Sequence, residues 1–381
     1  MAERQLASAR LVRMLSAFAL TVFAATAIRA MPATSITKPH YRVVGYAVAN
    51  KPISASQAAH IDTLIFAFAK LVDGQVVLDA DAARRLQTLT ALKADHPQLK
   101  VVVSVGGWGV GGFSEAASSD AARQRFADSA AQMLLANHVD GLDVDWEYPG
   151  HDEAGITASS KDREHFTALL RTVRSTLDKF SSTHHAGHYS LSIAVADGPY
   201  VDSVDIAAIE PSLDWFNMMT YDFVNSMTAT TGNHSGLHAS SLAAAGARST
   251  DKAVRQFLKA GVPSRKLLIG AAFYGREFAQ VKSPHHGLYQ AYGQYQGEHP
   301  WPELKSSFIN KNGFVRHWDA AAKAPYLWNA DTKHFISYDD PQSLAAKAAY
   351  VKSHDLGGIM YWEQSHDPQG ELLDAIWHGL Q

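Results

Sequence analysis

The sequence predicts an α/β protein, a (β/α)8 TIM barrel with a small α+β insertion subdomain. Eight short apolar runs alternate with helical patterns between about residue 41 and the C-terminus, and this alternation is typical of a parallel sheet that closes into a barrel. One of the runs carries three acidic residues at two-residue spacing. A long stretch rich in aromatic residues separates the last two runs.

The apolar runs are interpreted as strands because each is short and is bounded by turn or helix signals. The predicted strands, in chain order, are residues 41–48, 62–69, 99–105, 140–147, 189–195, 213–222, 266–274 and 357–362. Helical patterns lie between them. In residues 79–93, for example, Leu86 and Leu89 recur at helical spacing and the pattern ends before Pro97.

The stretch that follows the seventh predicted strand is too long for a single connection. Its aromatic residues include Tyr289, Tyr292, Tyr295, Trp301, Phe308, Phe314, Trp318, Tyr326 and Trp328. Because so many aromatic side chains need something to pack against, we predict a small α+β subdomain over residues 277–337. The alternative is an extended, partly ordered loop.

The N-terminus has the pattern of a secretory signal peptide. Arg4, Arg10 and Arg13 precede the apolar run 15–27, and small residues continue to Ala30. A buried helix or a membrane anchor is the alternative, but the run is short for a membrane span. We therefore predict a signal peptide at residues 1–30, export to the extracellular space or periplasm, and no membrane attachment after cleavage.

Composition narrows the possible partners. A formal net charge of −3 gives no basic footprint, so nucleic acid is not expected as a partner. The chain has no cysteine, which excludes disulfides and thiolate metal sites. We expect a monomer that needs no cofactor and no metal.

The fourth predicted strand is the most informative stretch of the sequence. Side chains alternate along a strand, so Asp143, Asp145 and Glu147 share one face and are each about 6–7 Å from the next. Trp146 has the opposite parity and is expected to be structural. Three neighbouring carboxyl groups repel one another when ionised, which raises the pKa of at least one of them. Parallel barrels present their chemistry at this end of a strand.

Neighbouring carboxyl groups favour glycoside hydrolysis, in which an acid protonates the leaving oxygen. Glu147 stands at the strand end and is the natural acid, while Asp145 and Asp143 can share or take up protons. A divalent-metal site is one alternative, although its ligands should converge from several strands and no histidine joins this row. A buried polar network is the other alternative.

Residues 140–149 read DGLDVDWEYP, which resembles the DGxDxDWEYP signature of chitinases in glycoside hydrolase family 18. Further blocks occur in the family's order. They are SVGGW at 104–108, MMTYDF at 218–223, AFYGR at 272–276 with Ala272 where proline is usual, SYDDP at 337–341 and GGIMYW at 357–362. The resemblance runs from about residue 41 to the C-terminus and implies a catalytic domain over residues 38–381.

The resemblance implies a retaining mechanism in which the substrate supplies the nucleophile. The N-acetyl oxygen of the substrate would attack its own anomeric carbon to form an oxazolinium ion. Glu147 would act as acid and then base, Asp145 would hold the acetamido N–H, and Tyr221 would bind the acetamido carbonyl. Asp143 and Ser104, which lie deeper in the predicted barrel, would adjust the acid–base properties of Asp145.

The resemblance also implies a cleft for chitin or chitooligosaccharides, in which sugar rings stack on aromatic side chains. A lone aromatic residue is more often part of a core, but these positions match family blocks or strand ends. Trp362 would form the floor beneath the reacting sugar. The other expected substrate-binding residues are Tyr46, Phe68, Ser104, Gly107, Trp108, Tyr148, Met219, Asp222, Tyr274 and Arg276.

Three other functions remain open from the sequence. A non-catalytic chitin-binding lectin would replace the acid, whereas Glu147, Asp145 and Tyr221 are all present. An endo-β-N-acetylglucosaminidase that acts on protein-linked glycans would share these residues but would usually lack the insertion. A divalent-metal hydrolase would lose its activity in a chelator.

Overall fold

The computed structural model describes residues 40–48 and 51–381. The predicted signal peptide at residues 1–30 lies outside these residues. Within the described part of the chain, no helix is long and apolar enough to cross a membrane.

Strands and helices alternate along most of the described chain. The strands are β1 (Arg42–Ala47), β2 (Thr63–Val72), β3 (Gln75–Val77), β4 (Lys100–Gly106), β5 (Gly141–Asp145), β6 (Ser190–Val195), β7 (Trp215–Met218), β8 (Leu267–Ala272), β9 (Tyr274–Ala279), β10 (Gln294–Pro300), β11 (Phe314–Asp319), β12 (Ala324–Asn329), β13 (His334–Tyr338) and β14 (Gly358–Trp362). The helices are α1 (Ala55–Ala59), α2 (Ala80–Ala91), α3 (Phe113–Ala117), α4 (Asp120–Ala136), α5 (Asp162–His184), α6 (Ile206–Ile209), α7 (Thr250–Lys259), α8 (Trp301–Glu303), α9 (Pro341–Ser353) and α10 (Glu371–Leu380).

Eight parallel strands close into a barrel, which confirms the predicted fold class. Their order around the barrel is β1, β2, β4, β5, β6, β7, β8 and β14, and β1 pairs with both β2 and β14. Alternate side chains form two layers. Val103, Leu142 and Ile193 belong to the large core that includes the helices, whereas Val44 and Leu268 belong to a separate inner cluster.

Two predicted strands were too long at their carboxyl ends. β5 stops at Asp145 and β7 stops at Met218. The neighbouring strands end at the same level, since Asp145 pairs with Gly106 of β4 and Met218 pairs with Val195 of β6. The residues that follow, including Glu147, therefore lie in loops at the mouth of the barrel and not on a strand.

The seventh predicted strand is in fact two strands. β8 belongs to the barrel, and β9 begins a second, antiparallel sheet with the order β10-β9-β13-β12-β11. This sheet thus starts at Tyr274, before the predicted boundary at residue 277. Its own core holds Phe278, Tyr326, Trp328 and Phe335, which accounts for much of the aromatic content of this stretch.

A buried ion pair ties α9 to the barrel. The Lys347 Nζ donates to Oδ2 of Asp339 at 2.6 Å and to the carbonyl oxygen of Gly270 on β8 at 3.1 Å. Both charged side chains are almost fully buried. The same Asp339 oxygen accepts the N–H of Ala272 at 3.1 Å, a donor that proline, the usual residue at this position in the family block, does not have.

We expect Lys347→Met to lower the free energy of unfolding by about 3–5 kcal/mol, because it leaves Asp339 as an uncompensated buried charge. Lys352→Met is the matched control, since Lys352 lies on the same helix but is exposed. Urea unfolding of both variants measures the difference. A loss below about 1 kcal/mol in Lys347→Met, the range of exposed ion pairs, would contradict this role.

Candidate active site

A cleft of about 530 Å³ opens at the carboxyl ends of the barrel strands. It is lined by most of the residues that the sequence suggested. These are Tyr46, Phe68, Gly107, Trp108, Asp145, Glu147, Tyr148, Met219, Tyr221, Asp222, Tyr274, Arg276 and Trp362. The remaining two, Asp143 and Ser104, are fully buried and do not line the cleft.

Asp143 is the deepest carboxyl group, and donors from four strands surround it. Its Oδ2 accepts hydrogen bonds from the hydroxyls of Ser104 at 2.7 Å and Tyr46 at 2.9 Å. Its Oδ1 accepts from the Ser192 hydroxyl at 2.6 Å and from Nδ2 of Asn217 at 3.1 Å. Burial raises the pKa of Asp143, and these donors oppose that rise. The buried-network interpretation therefore fits this residue.

Asp145 has a different environment. It is buried, and its Oδ1 has no hydrogen-bond partner among the described residues. Burial, followed by the charges of Glu147 and Asp143, raises the pKa of Asp145 well above its ordinary value. A buried polar atom without a partner is costly. Because Asp145 lines the cleft, a ligand could supply the missing partner.

Glu147 lies in the loop after β5, where it is half-buried at the cleft wall. Burial raises the pKa of Glu147 to about 7, the Tyr148 hydroxyl opposes the rise, and the Asp222 charge adds to it. A carboxyl group with this pKa is protonated for a large part of the time near neutral pH. It can therefore both donate and accept a proton.

Asp222 is held between a cation and a histidine. Nε and Nη2 of Arg276 donate to its two carboxylate oxygens at 2.8 and 2.6 Å, and Nδ1 of His234 lies 3.5 Å from its Oδ1. Burial alone would raise the pKa of Asp222, but the contacts with His234 and Arg276 hold it well below the usual range. Asp222 thus remains ionised beside Glu147.

Tyr221 and Trp362 form one side of the cleft. Among the described residues, the only hydrogen-bond partner of the Tyr221 hydroxyl is Sδ of Met360, at 3.8 Å. The Trp362 ring lies 5.9 Å from the Phe68 ring and 5.5 Å from the Tyr46 ring, between centroids. Tyr46 lines the cleft and its hydroxyl donates to Asp143, and its role in substrate binding stays a prediction.

A second aromatic group lines the barrel mouth after β4, β5 and β6, next to Phe68 of β2. Tyr148 packs against Tyr200, with ring centroids 4.7 Å apart, and against Trp108 at 6.2 Å. Trp108 is 52% exposed. A Cβ at Gly107 would lie 3.1 Å from the Phe68 ring, so glycine here keeps space between the two aromatic groups.

Sequence reasoning missed several residues of this region. They are Ser192, Asn217, Ala194, Tyr200, Asn225, Ser226, Met227, Arg248 and Tyr295. Ser192 and Asn217 are polar residues inside apolar strands, and that signal could have identified them. Most of the others lie in connections whose path the sequence does not define. Trp146 is structural as expected, since its ring stacks on Phe113 at 5.5 Å.

The alternative interpretation, a divalent-metal site, requires several ligand side chains to converge on one point. In the part of the chain that the structure describes, no group of three or more His, Cys, Asp or Glu side chains could hold a metal ion.

Comparison with known proteins identifies the family. The family model "Glycosyl hydrolases family 18" matches residues 42–367. Chitinase A1 of Niallia circulans is 37% identical over 316 residues, which cover 78% of this chain and 45% of that protein. Chitinase B of Serratia marcescens is 30% identical over 413 residues, which cover 89% of this chain and 80% of that protein. The chain therefore spans less than half of the first relative and most of the second.

Solved structures agree with this assignment. A family 18 N-acetylglucosaminidase from Paenibacillus barengoltzii matches with a TM-score of 0.85 and 39% identity, covering 90% of this chain and 100% of that chain. Three lines of comparison, by family model, by sequence and by structure, thus agree along most of the described barrel. The chain belongs to glycoside hydrolase family 18.

Proposed function

We propose that the protein is a chitinase that hydrolyses β-1,4 linkages between N-acetylglucosamine units in chitin or chitooligosaccharides, with retention at the anomeric carbon. The observation that carries this proposal is the pair formed by Asp145 and Glu147. One is a buried carboxyl group with an unpartnered oxygen, and the other is a carboxyl group with a pKa near 7 at the cleft wall. The relatives named chitinase support the choice of substrate.

The first step uses Glu147 as the acid. The acetamido carbonyl oxygen of the reacting sugar attacks the anomeric carbon while the bond to the leaving oxygen breaks. The proton of Glu147 passes to that oxygen, so the products are the freed sugar and an oxazolinium ion. Its pKa of about 7 makes Glu147 a good proton donor at neutral pH.

Asp145 and Tyr221 position the acetamido group. The unpartnered Oδ1 of Asp145 accepts the acetamido N–H, and the Tyr221 hydroxyl donates to the carbonyl oxygen that attacks. Positive charge develops on this group mainly in the transition state. The contact with Asp145 is therefore strongest there and accelerates the reaction more than it tightens binding.

In the second step Glu147 acts as the base. Its carboxylate takes a proton from water, the resulting oxygen attacks the anomeric carbon, and the oxazolinium ring opens to restore the acetamido group. Two displacements at one carbon retain its configuration. Trp362 supports the reacting sugar, because the apolar face of a pyranose ring packs on an indole ring.

The rest of the chain is assigned by the same proposal. Residues 1–30 serve as a signal peptide that directs export, and residues 38–381 form the catalytic domain, which acts as a monomer. The insertion at residues 277–337 forms a wall of the cleft, since Tyr295 of β10 lines the cleft together with Arg276.

A second candidate function is that of an N-acetylglucosaminidase, because a solved structure with that name is 39% identical to this chain; for this chain we take that function to mean the release of single sugars. Chitohexaose separates the two. From chitohexaose we expect oligosaccharide products, which mass spectrometry identifies. We also expect the β-anomer to form first, which NMR detects. Release of monosaccharide alone would favour the second candidate.

Glu147→Gln is expected to lose at least about a thousandfold in kcat, because it removes the proton donor. Near-normal turnover of this variant would contradict the proposal.

Asp145→Asn should lower kcat by roughly a hundredfold or more, the loss expected when one group that stabilises transition-state charge is removed. Substrate binding should change little, because the contact forms mainly in the transition state. Isothermal titration with chitotetraose measures the dissociation constant. It compares Glu147→Gln with the double variant that also carries Asp145→Asn, because Glu147→Gln prevents hydrolysis during the measurement. A variant with weaker binding and unchanged kcat would overturn the acetamido role of Asp145.

The pH profile should follow Glu147. Since the acid must be protonated, kcat/KM is maintained below the pKa of Glu147, about 7, and falls as the pH rises through that value. Asp222→Asn removes a charge that raises this pKa, so the basic limb should move to lower pH. Glu298→Gln is the control, because Glu298 contacts Arg276 at 3.3 Å without belonging to the cleft. An unchanged limb in Asp222→Asn would contradict this coupling.

A further inference from the structure

Arg248 lines the cleft but has no part in the proposed chemistry. It lies in the long connection between β7 and α7, just before the helix begins. Its Nε donates to Oδ1 of Asp197 at 2.8 Å, and its Nη2 contacts the same oxygen. The Asp197 side chain is only 4% exposed, so a buried carboxylate fixes the orientation of the guanidinium group from behind.

Two aromatic rings hold the guanidinium plane. The Arg248 Cζ lies 4.9 Å from the centroid of the Phe223 ring and 5.8 Å from that of the Tyr200 ring. Contacts of this kind are favourable for an arginine cation. With Nε and Nη2 occupied by Asp197, Nη1 makes no hydrogen bond to any described residue. A fixed guanidinium group therefore presents unused N–H donors at the cleft wall.

The position of Arg248 identifies the sugar that it would meet. Tyr200 packs on Tyr148, the residue that follows Glu147, with ring centroids 4.7 Å apart. In the proposed mechanism the reacting sugar lies on Trp362, beside Asp145, and Glu147 delivers its proton to the bond between two sugars. The wall beyond Glu147 then receives the leaving sugar.

The charge of Arg248 distinguishes two forms of that sugar. An N-acetylated sugar offers a carbonyl oxygen and hydroxyl oxygens, which are good acceptors for a guanidinium N–H. A deacetylated sugar carries an ammonium group at the same carbon in mildly acidic buffer, and like charges repel at short range. Asp197 does not reverse this preference, because it lies behind the guanidinium group and its Oδ1 is already bonded.

We propose that Arg248, positioned by Asp197, selects an N-acetylated sugar over a deacetylated one in the first subsite on the leaving-group side. The proposal rests on the proposed function, since the substrate-assisted step defines which sugar leaves. The substrate class that it specifies is partially deacetylated chitin, cleaved where an acetylated unit follows the broken bond.

Partially N-acetylated chitosan tests the proposal, because each cleavage creates two new chain ends whose acetylation can be determined. The new reducing end comes from the reacting sugar, which must be acetylated if its acetamido group is the nucleophile. The new non-reducing end comes from the leaving sugar. We expect both ends of the wild-type products to be rich in N-acetylglucosamine, as determined by sequencing the products with mass spectrometry.

The main variant is Asp197→Asn with Arg248→Gln, which removes both charges so that no buried carboxylate loses its partner. We expect the preference for an acetylated non-reducing end to fall roughly tenfold, the value of one hydrogen bond to a charged group, while the reducing ends stay acetylated. Arg248→Lys, which keeps the positive charge, should retain part of the preference. Arg255→Gln on α7 is the control, because the Arg255 side chain is 75% exposed and, among the residues that the structure describes, forms an ion pair only with Asp251.

The outcomes separate the two proposals. Unchanged non-reducing ends in the double variant would overturn the role of Arg248 and leave the proposed function intact. Reducing ends that are not acetylated in the wild type would instead overturn the substrate-assisted mechanism. Equal loss of activity on every bond, with the end composition unchanged, would show that Arg248 is only structural.

Discussion

Two carboxyl groups at the centre of the barrel, those of Asp143 and Asp145, are almost fully buried, and the polar side chains around Asp143 compensate for its burial. An ionised carboxylate in a dry environment is costly unless it accepts hydrogen bonds. Asp143 meets that requirement with donors on β1, β4, β6 and β7, from Tyr46, Ser104, Ser192 and Asn217. The interior of most barrels is filled by branched apolar side chains. Here a polar layer replaces part of that filling because the acidic strand requires it.

The three carboxyl groups differ because their surroundings differ. Asp143 has a full set of donors, Asp145 has an oxygen without a partner, and Glu147 stands at the cleft wall near an ionised Asp222. Groups of one chemical type thus take separate roles through burial and neighbours alone. The division also depends on the two-residue spacing of Asp143 and Asp145, which places them on the same face of one strand.

The sequence predicted the fold and the acidic strand well, because apolar alternation and residue parity are local properties. It predicted strand ends less well. The lengths of β5 and β7 depend on where neighbouring strands stop, and this is a property of the assembled sheet. Arg248 had no local signal at all, since its role arises from Asp197, which is distant in sequence. Contacts of this kind become visible only after the chain has closed into a barrel.

The ion pair between Arg276 and Asp222 has a consequence for engineering this chain. Arg276 belongs to β9 of the second sheet, whereas Asp222 follows a barrel strand. The second sheet is therefore not a detachable module. A chimera that exchanged or trimmed it would leave Asp222 without its guanidinium partner and would disturb the electrostatics of the cleft.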